Sequence, residues 1–172
     1  ALYNEINLKK LILVNTVSHP WEGDNVWLPF KIISSPVLGK LFSNTYAMIY
    51  GKKVIDSSAD DNFPNNKPPL GFIDKVAGEL TLRPKVLEAY ALDAINLRSS
   101  LSSQHKNYSK LTIPVSILAG VGDRVTPNET HSFQLHEDIK HSKLIEINDT
   151  EHSIPELNPS AIIQEINKSI TE

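Results

Sequence analysis

Apolar runs mark three predicted strands along the chain. Residues 8–15 (LKKLILVN) have an almost continuous apolar centre, and residues 115–119 (VSILA) form a short run between a proline and a glycine. Such runs are typical of strands that are covered on both faces, as in a parallel sheet. Residues 143–148 (KLIEIN) alternate only in part, which favours a strand at the edge of the sheet.

Helices and loops are predicted between the first and second strands. Residues 37–50 place apolar side chains three and four positions apart and precede Gly51, which predicts a helix that ends there. Residues 56–69 are rich in Asp, Asn, Ser and Pro and predict a loop. Pro84 suits the first turn of another helix, whose apolar stripe reaches Leu101. We interpret this stretch as an insertion between two strands of one sheet.

Two more helices are predicted after the second and third strands. Residues 126–129 (TPNE) match a capping box with proline in the first turn, which predicts a helix from Pro127 to about Glu137. Asn158 is expected to cap a final helix. The isoleucines that this helix should turn toward the core are Ile162, Ile163, Ile166 and Ile170. The order of elements predicts an α/β layer with parallel strands.

Composition and charge exclude several classes of protein. The 172 residues include no cysteine, which excludes disulfides, a thiolate nucleophile and a cysteine zinc site. A net charge of -3 gives no sign of the strongly basic surface that binds nucleic acid. No apolar run approaches the ~20 residues of a membrane span. We therefore expect a cytoplasmic protein without nucleic-acid or membrane partners.

Two residues that follow predicted strands are candidates for catalysis. Asp123 lies in a turn formed with Gly120 and Gly122, and His152 follows the next strand. Because consecutive parallel strands joined by right-handed crossovers end side by side, we expect Asp123 to accept the ring N–H of His152. The other ring nitrogen is then free to act as a general base. Taken alone, Asp123 is more often a turn residue and His152 is more often a structural histidine, but their order, each just after a predicted strand, favours an acid–base pair.

These segments resemble the α/β-hydrolase superfamily, specifically its members with a helical cap. Residues 9–16 (KKLILVNT) look like the sixth strand of that fold, and residues 113–127 (IPVSILAGVGDRVTP) look like the seventh strand with its acid turn. Residues 151–155 (EHSIP) look like the histidine loop. The resemblance implies that Asp123 is the acid and His152 the base of a catalytic triad.

The resemblance also implies how the chain is organised. Residues 1–16 and 104–172 would be a partial core, with three mostly parallel strands and flanking helices from the sixth strand onward. Residues 17–103 would be a helical cap. The chain would then be the carboxyl-terminal part of an α/β-hydrolase.

The nucleophile of the family is missing from this sequence. It lies on a Gly-x-Ser-x-Gly turn before the sixth strand, and no such motif occurs in the chain. Residues 1–7 resemble the end of the helix that follows this turn. We therefore expect the nucleophile upstream of residue 1 and an inactive chain in isolation. We also expect the open edge of the first strand to be covered by the missing amino-terminal half or by a symmetry mate.

The resemblance implies an activity but leaves alternatives open. A serine hydrolase of this type would cleave a carboxylic ester, a thioester or a similar small-molecule acyl substrate, without a cofactor or a metal. A dehalogenase or epoxide-hydrolase-like relative would use an Asp nucleophile instead. A third alternative is a non-catalytic α/β-hydrolase-like binding protein.

Four further residues are weaker candidates, for contact with substrate. Trp21, Trp27 and Phe30 could line an acyl pocket under the cap, although such aromatic residues more often form the core of the cap itself. His19 could line a substrate entrance, with a solvated loop histidine as the ordinary alternative. A metal pair of His131 and His136 is not expected, because residues five apart on a helix do not share a face.

Overall fold

The described part of the chain forms two compact units. The computed structural model describes residues 8–22, 28–35, 38–63, 65 and 67–171. The first unit takes in Ala1–Pro20, Asn62–Asn66 and Leu101–Glu172. The second unit takes in Trp21–Asp61 and Lys67–Ser100, within the stretch predicted as a cap. The helix end predicted for residues 1–7 lies outside the described residues.

The first unit contains a parallel sheet, as the apolar runs predict. Its strands are β1 (Leu11–Val14), β2 (Val115–Gly120) and β3 (Lys143–Ile147), in the order β1-β2-β3. All six residues of β2 are buried, which explains its largely apolar sequence. Because both neighbours run parallel to β2, the carboxyl ends of all three strands lie along one edge of the sheet.

Helices account for most of the remaining described residues. They are α1 (Leu28–Ile33), α2 (Gly39–Asn62), α3 (Phe72–Lys75), α4 (Pro84–Gln104), α5 (Ser132–Asp138), α6 (Ile154–Leu157) and α7 (Pro159–Thr171). Short 3-10 segments occur at Gly78–Leu82 and His105–Lys110. None of the helices among the described residues is long and apolar enough to cross a membrane.

Each unit has its own hydrophobic core. The core of the first unit consists of Tyr108, Leu111, Val115, Ile117, Leu135 and Ile139. The core of the second unit consists of Ile33, Leu87 and Ala91, with Phe30 and Phe42 packed against them. Helix α4 begins at Pro84 as predicted, and its apolar stripe supplies Leu87 and Ala91 to the second core.

Helix α2 is longer than its sequence pattern predicts. The prediction that it ends at Gly51 is wrong, because the helix continues to Asn62. A Cβ at Gly51 would lie 2.5 Å from Cδ1 of Leu82. The glycine therefore allows Leu82 to pack closely against the helix and does not end it. Ile55 and Ala59 are buried beyond this point, and residues 56–62 of the segment predicted as a loop are helical.

Helix α5 begins later than its sequence pattern predicts. The capping box predicted a start at Pro127, but the helix starts at Ser132. The hydroxyl and the N–H of Thr126 both donate to the carboxylate of Asp123, at 2.6 and 2.8 Å. Thr126 therefore completes the turn around Asp123 and caps no helix.

The final helix, α7, starts at Pro159 as predicted but does not have the predicted inner face. Ile163, Ile166 and Ile170 are 55%, 42% and 76% exposed. The expectation that they face the core is wrong for these three residues. The buried side chain of the helix is Glu165, at 2% exposure.

Buried Glu165 joins α7 to the sheet through ionic hydrogen bonds. Its carboxylate accepts from Nζ of Lys10 at 2.8 Å, from the hydroxyl of Ser116 at 2.7 Å and from Nζ of Lys168 at 3.3 Å. The bond from Lys10 is the main reason why the pKa of Glu165 falls to about 2, against the opposing effect of burial. Polar contacts thus hold this helix where apolar packing was expected.

Candidate active site

A tight turn at the end of β2 places the predicted acid. A Cβ at Gly120 would overlap the carbonyl oxygen of Glu151, so glycine is required for the close approach of the loop after β3. Gly122 has a φ of 81°, in the left-handed region that glycine adopts at little cost. The N–H of Asp123 donates to the carbonyl of Gly120 at 3.3 Å. The turn therefore holds Asp123 next to the loop that carries His152.

The structure brings Asp123 and His152 together. Nδ1 of His152 lies 2.9 Å from Oδ2 of Asp123. The carboxylate side chain is completely buried, whereas the imidazole is 24% exposed. The acid is thus shielded from solvent while the histidine ring remains accessible.

Both oxygens of the Asp123 carboxylate accept hydrogen bonds. Oδ2 accepts the hydroxyl of Thr126 at 2.6 Å in addition to the bond with His152. Oδ1 accepts the backbone N–H groups of Val125 and Thr126, each at 2.8 Å. Hydrogen bonds to the ionised form favour it, so this turn is built to keep a carboxylate charged.

Opposing effects act on the pKa of Asp123. Burial raises the pKa, but the hydrogen bonds from His152 and Thr126 outweigh it, and the pKa lies below its ordinary value. Because an ionised carboxylate only accepts hydrogen bonds, Nδ1 of His152 carries the proton. No hydrogen-bond partner of Nε2 lies in the described part of the chain, which leaves the lone pair of Nε2 available.

Asn15 fixes the histidine loop and was missed at the sequence level. It directly follows β1, with a φ of 41°, and it is 8% exposed. Its Nδ2 donates to the carbonyls of Glu151 and His152, each at 2.8 Å, and its Oδ1 accepts the N–H of Gly120 at 2.7 Å. The side chain thus ties the ends of β1 and β2 to the loop after β3. The available signal was a polar residue that ends an apolar run.

Thr126 and Asn128 were also missed as supports of the acid turn. Thr126 was interpreted as part of a capping box, although its hydroxyl bonds to Asp123. Nδ2 of Asn128 donates to the carbonyl of Gly120 at 2.8 Å, and the residue is 6% exposed. A threonine three positions after a turn aspartate is a signal that could have identified the first of these contacts.

The four weaker candidates have different locations. His19 belongs to the first unit and is buried at 6% exposure, so it is not a solvated loop residue. Trp21 belongs to the second unit, where its carbonyl accepts from Nε of Arg98 at 2.8 Å. Phe30 packs in the core of that unit, and Trp27 lies outside the described residues. Contact of these residues with a substrate stays a prediction.

His131 and His136 have separate partners. Nδ1 of His131 accepts the backbone N–H groups of Ser18 and His19, each at 3.4 Å. Burial, and then the neighbouring His19, lowers the pKa of His131. Nδ1 of His136 lies 2.8 Å from the hydroxyl of Ser142. Each ring therefore has a structural role of its own.

Solved α/β-hydrolase structures match this arrangement of strands and helices. An α/β-hydrolase fold protein from Burkholderia ambifaria has a TM-score of 0.70 at 18% identity, over 96% of this chain and 58% of its own. A 2-hydroxy-6-oxo-6-phenylhexa-2,4-dienoate hydrolase from a Rhodococcus species has a TM-score of 0.67 at 16% identity. The match covers 95% of this chain and 56% of the hydrolase. A haloalkane dehalogenase loop variant from Bradyrhizobium elkanii has a TM-score of 0.60 at 15% identity. The match covers 95% of this chain and 59% of the dehalogenase.

These matches define the fold of the protein. The chain has the α/β-hydrolase fold, and it spans less than two thirds of the length of each of these structures. No protein-family model matches the sequence. No curated protein is similar to it in sequence either.

Proposed function

We propose that Asp123 and His152 are the acid and base of an α/β-hydrolase that cleaves a carboxylic ester, a thioester or a similar acyl substrate. The observation that carries this proposal is the 2.9 Å contact between His152 Nδ1 and the buried carboxylate of Asp123. It sets the ring tautomer that a general base needs. The α/β-hydrolase fold of the relatives supports the same chemistry.

In this mechanism a serine hydroxyl attacks the carbonyl carbon of the substrate while Nε2 of His152 takes its proton. The imidazolium that forms is stabilised by Asp123 and then returns the proton to the leaving alcohol or thiol. Nε2 next deprotonates a water molecule that attacks the acyl carbon, and it returns this proton to the serine oxygen as the acyl–serine bond breaks and the carboxylic acid leaves. Asp123 orients the ring and stays ionised throughout.

The nucleophile is proposed to come from outside these 172 residues, because they contain no Gly-x-Ser-x-Gly turn. Labelling of the complete protein with a fluorophosphonate probe tests this. We expect one labelled serine, and we expect His152→Ala to abolish rapid labelling. The matched control is His141→Ala, which removes an exposed histidine of the same unit. Equal labelling of His152→Ala and wild type would contradict the proposal.

An aspartate nucleophile is the second candidate, supported by the structural match to a haloalkane dehalogenase. The same acid and histidine would then activate water against an alkyl-enzyme ester. A well-folded complete protein that resists the fluorophosphonate but releases halide from a bromoalkane would favour this candidate. A protein with neither activity would favour a non-catalytic binding role.

The edge of β1 is proposed to be covered by further protein. Among the described strands, β1 pairs with β2 alone, and an unpaired apolar edge promotes association. The amino-terminal half of the enzyme, or a symmetry mate, would supply the cover. Light scattering coupled to size exclusion should show that the 172-residue chain self-associates or binds such a half. A monodisperse monomer that does not bind the amino-terminal half would contradict the proposal that the edge of β1 is covered.

A further inference from the structure

Three residues of the first unit bring together side chains of the type that bind metal ions. His19, His105 and Asp138 each offer one ligand atom, and these atoms lie within 4.8 Å of one another. Nε2 of His19 is 3.1 Å from Oδ2 of Asp138, and the rings of His19 and His105 are 5.3 Å apart at their centroids. The residues are distant in sequence, so only the fold brings them together.

Hydrogen bonding around His19 shows which nitrogen faces the cluster. The hydroxyl of Ser18 donates its single hydrogen to the carbonyl of His131 at 2.9 Å. The 2.9 Å contact between Ser18 Oγ and His19 Nδ1 is therefore a bond from the ring N–H to the oxygen. Nε2 is then the ring nitrogen that faces the carboxylate of Asp138, and its lone pair is directed into the cluster as a metal ligand requires.

The donor set, and the distance between His19 and Asp138, suit Zn²⁺. Two ligands that lie about 2.0–2.1 Å from a tetrahedral zinc ion are about 3.3 Å apart. The 3.1 Å between His19 Nε2 and Asp138 Oδ2 is close to this separation. Two imidazoles and one carboxylate are ordinary zinc ligands, and three protein ligands leave one position for water.

The side chains of the cluster also differ in solvent exposure, as a metal site requires. The His19 side chain is 7% exposed, whereas that of Asp138 is 39% exposed. A hydrated ion can therefore enter on the side of Asp138, lose water to the buried imidazole and keep its last water toward solvent. The hydrogen bond from Nδ1 of His19 to the hydroxyl oxygen of Ser18 holds the imidazole ring in the orientation that metal binding requires.

We propose that His19, His105 and Asp138 form a Zn²⁺ site that is separate from the pair of Asp123 and His152. The ion connects the segment after β1, the start of the 3-10 segment His105–Lys110 and the end of α5. The two sites share no residue. Zinc binding therefore does not depend on the proposed hydrolase function.

Titration of the purified 172-residue chain with Co²⁺, followed by its visible absorption, tests the site. We expect one Co²⁺ per chain, with the absorption bands of a low-coordinate nitrogen and oxygen site, and loss of these bands when Zn²⁺ is added. His105→Ala and Asp138→Ala should each weaken Co²⁺ binding by more than about 100-fold, since loss of even a hydrogen-bond partner of a ligand costs about 10–100-fold.

The matched control is His141→Ala, because His141 is exposed and its Nε2 contacts the carbonyl of Ile113 at 2.8 Å. This variant should bind Co²⁺ as tightly as wild type. Circular dichroism verifies folding, and Asp138→Asn replaces Asp138→Ala if the latter unfolds. The proposal is overturned if wild type binds no stoichiometric Co²⁺, or if folded His105 and Asp138 variants keep the wild-type affinity.

Discussion

Thr126 shows at the scale of single residues how the acid of the candidate site is kept charged. Its hydroxyl is 2.6 Å from Oδ2 of Asp123, the same oxygen that faces His152. The residue is 3% exposed, so water cannot easily replace the hydroxyl. The geometry thus assigns Thr126 to positioning of the acid.

Under the proposed function, Thr126→Val should lower the kcat of the complete protein about 10-fold at neutral pH, because it removes one hydrogen bond of about 1.5 kcal/mol from a charged acceptor. The pKa of Asp123 should rise as well. Hydrolysis of p-nitrophenyl butyrate as a function of pH measures both effects. The control is Thr150→Val, since the hydroxyl of Thr150 donates to the carbonyl of Ile147 at 3.1 Å. An unchanged kcat in Thr126→Val would exclude the positioning role.

Glu165 makes the stability of the first unit depend on pH. Its pKa is about 2 in the folded chain, compared with an ordinary value of 4.5. Since the folded-state value is depressed, the stabilisation is complete above about pH 4.5 and is lost as pH falls toward 2.

Glu165→Gln should reduce the free energy of unfolding at pH 7 by about 3 kcal/mol, because a shift of one pKa unit corresponds to about 1.4 kcal/mol. The difference from wild type should shrink as the pH approaches 2. Urea unfolding at pH 7 and pH 3 measures both. Glu146→Gln, on an exposed residue of β3, should change stability by less than about 0.5 kcal/mol. A pH-independent difference for Glu165→Gln would refute the ionic explanation.

At the scale of elements, the packing of one strand end against one loop sets the site. Gly120 ends β2 where the carbonyl of Glu151 approaches too closely for any Cβ. Backbone atoms on both sides make this contact, so a side chain there cannot be accommodated by a rotamer change. The hydrogen bonds from Asn15 hold the same loop from the side of β1.

Gly120→Ala should therefore destabilise the first unit by about 3 kcal/mol or more and displace the histidine loop. Gly122→Ala is the matched control in the same turn. Its φ is 81° and a Cβ there would meet only Cγ of Glu151 at 3.9 Å, so it should cost about 1–2 kcal/mol. Thermal unfolding of both variants shows which substitution destabilises the first unit more. Equal effects would show that the close approach of Glu151 is unimportant.

Local patterns predicted the type of most elements but not all of their limits. The apolar runs identified β1, β2 and β3, because strands buried in a parallel sheet contain few polar residues. The carboxyl-terminal end of α2 and the start of α5 were missed. Gly51 accommodates Leu82, which lies outside the local window. Thr126 binds Asp123 three positions before it, but it also matches a capping box, so the local pattern was compatible with two different structures.

At the scale of the whole molecule, the proposed chemistry is divided between this chain and protein outside it. The chain carries the proposed acid and base, but no Gly-x-Ser-x-Gly motif for the nucleophile. Removing a triad nucleophile eliminates covalent catalysis.

The 172-residue chain alone should hydrolyse p-nitrophenyl acetate or butyrate at a rate close to that of buffer. A spectrophotometric assay of the purified chain, with His152→Ala as the blank, measures this. Robust turnover that is lost in His152→Ala would contradict this expectation, since it would show that the chain needs no nucleophile from outside.

The sequence by itself determined the class of fold, the three strands and the order of acid and histidine after them. These features depend on short apolar runs and on the rule that consecutive parallel strands end side by side. Tertiary structure alone decided the partners of Asn15 across three strand ends, of Glu165 inside a helix face expected to be apolar, and of the cluster of His19, His105 and Asp138. These contacts join residues that are distant along the chain, so no local periodicity contains them.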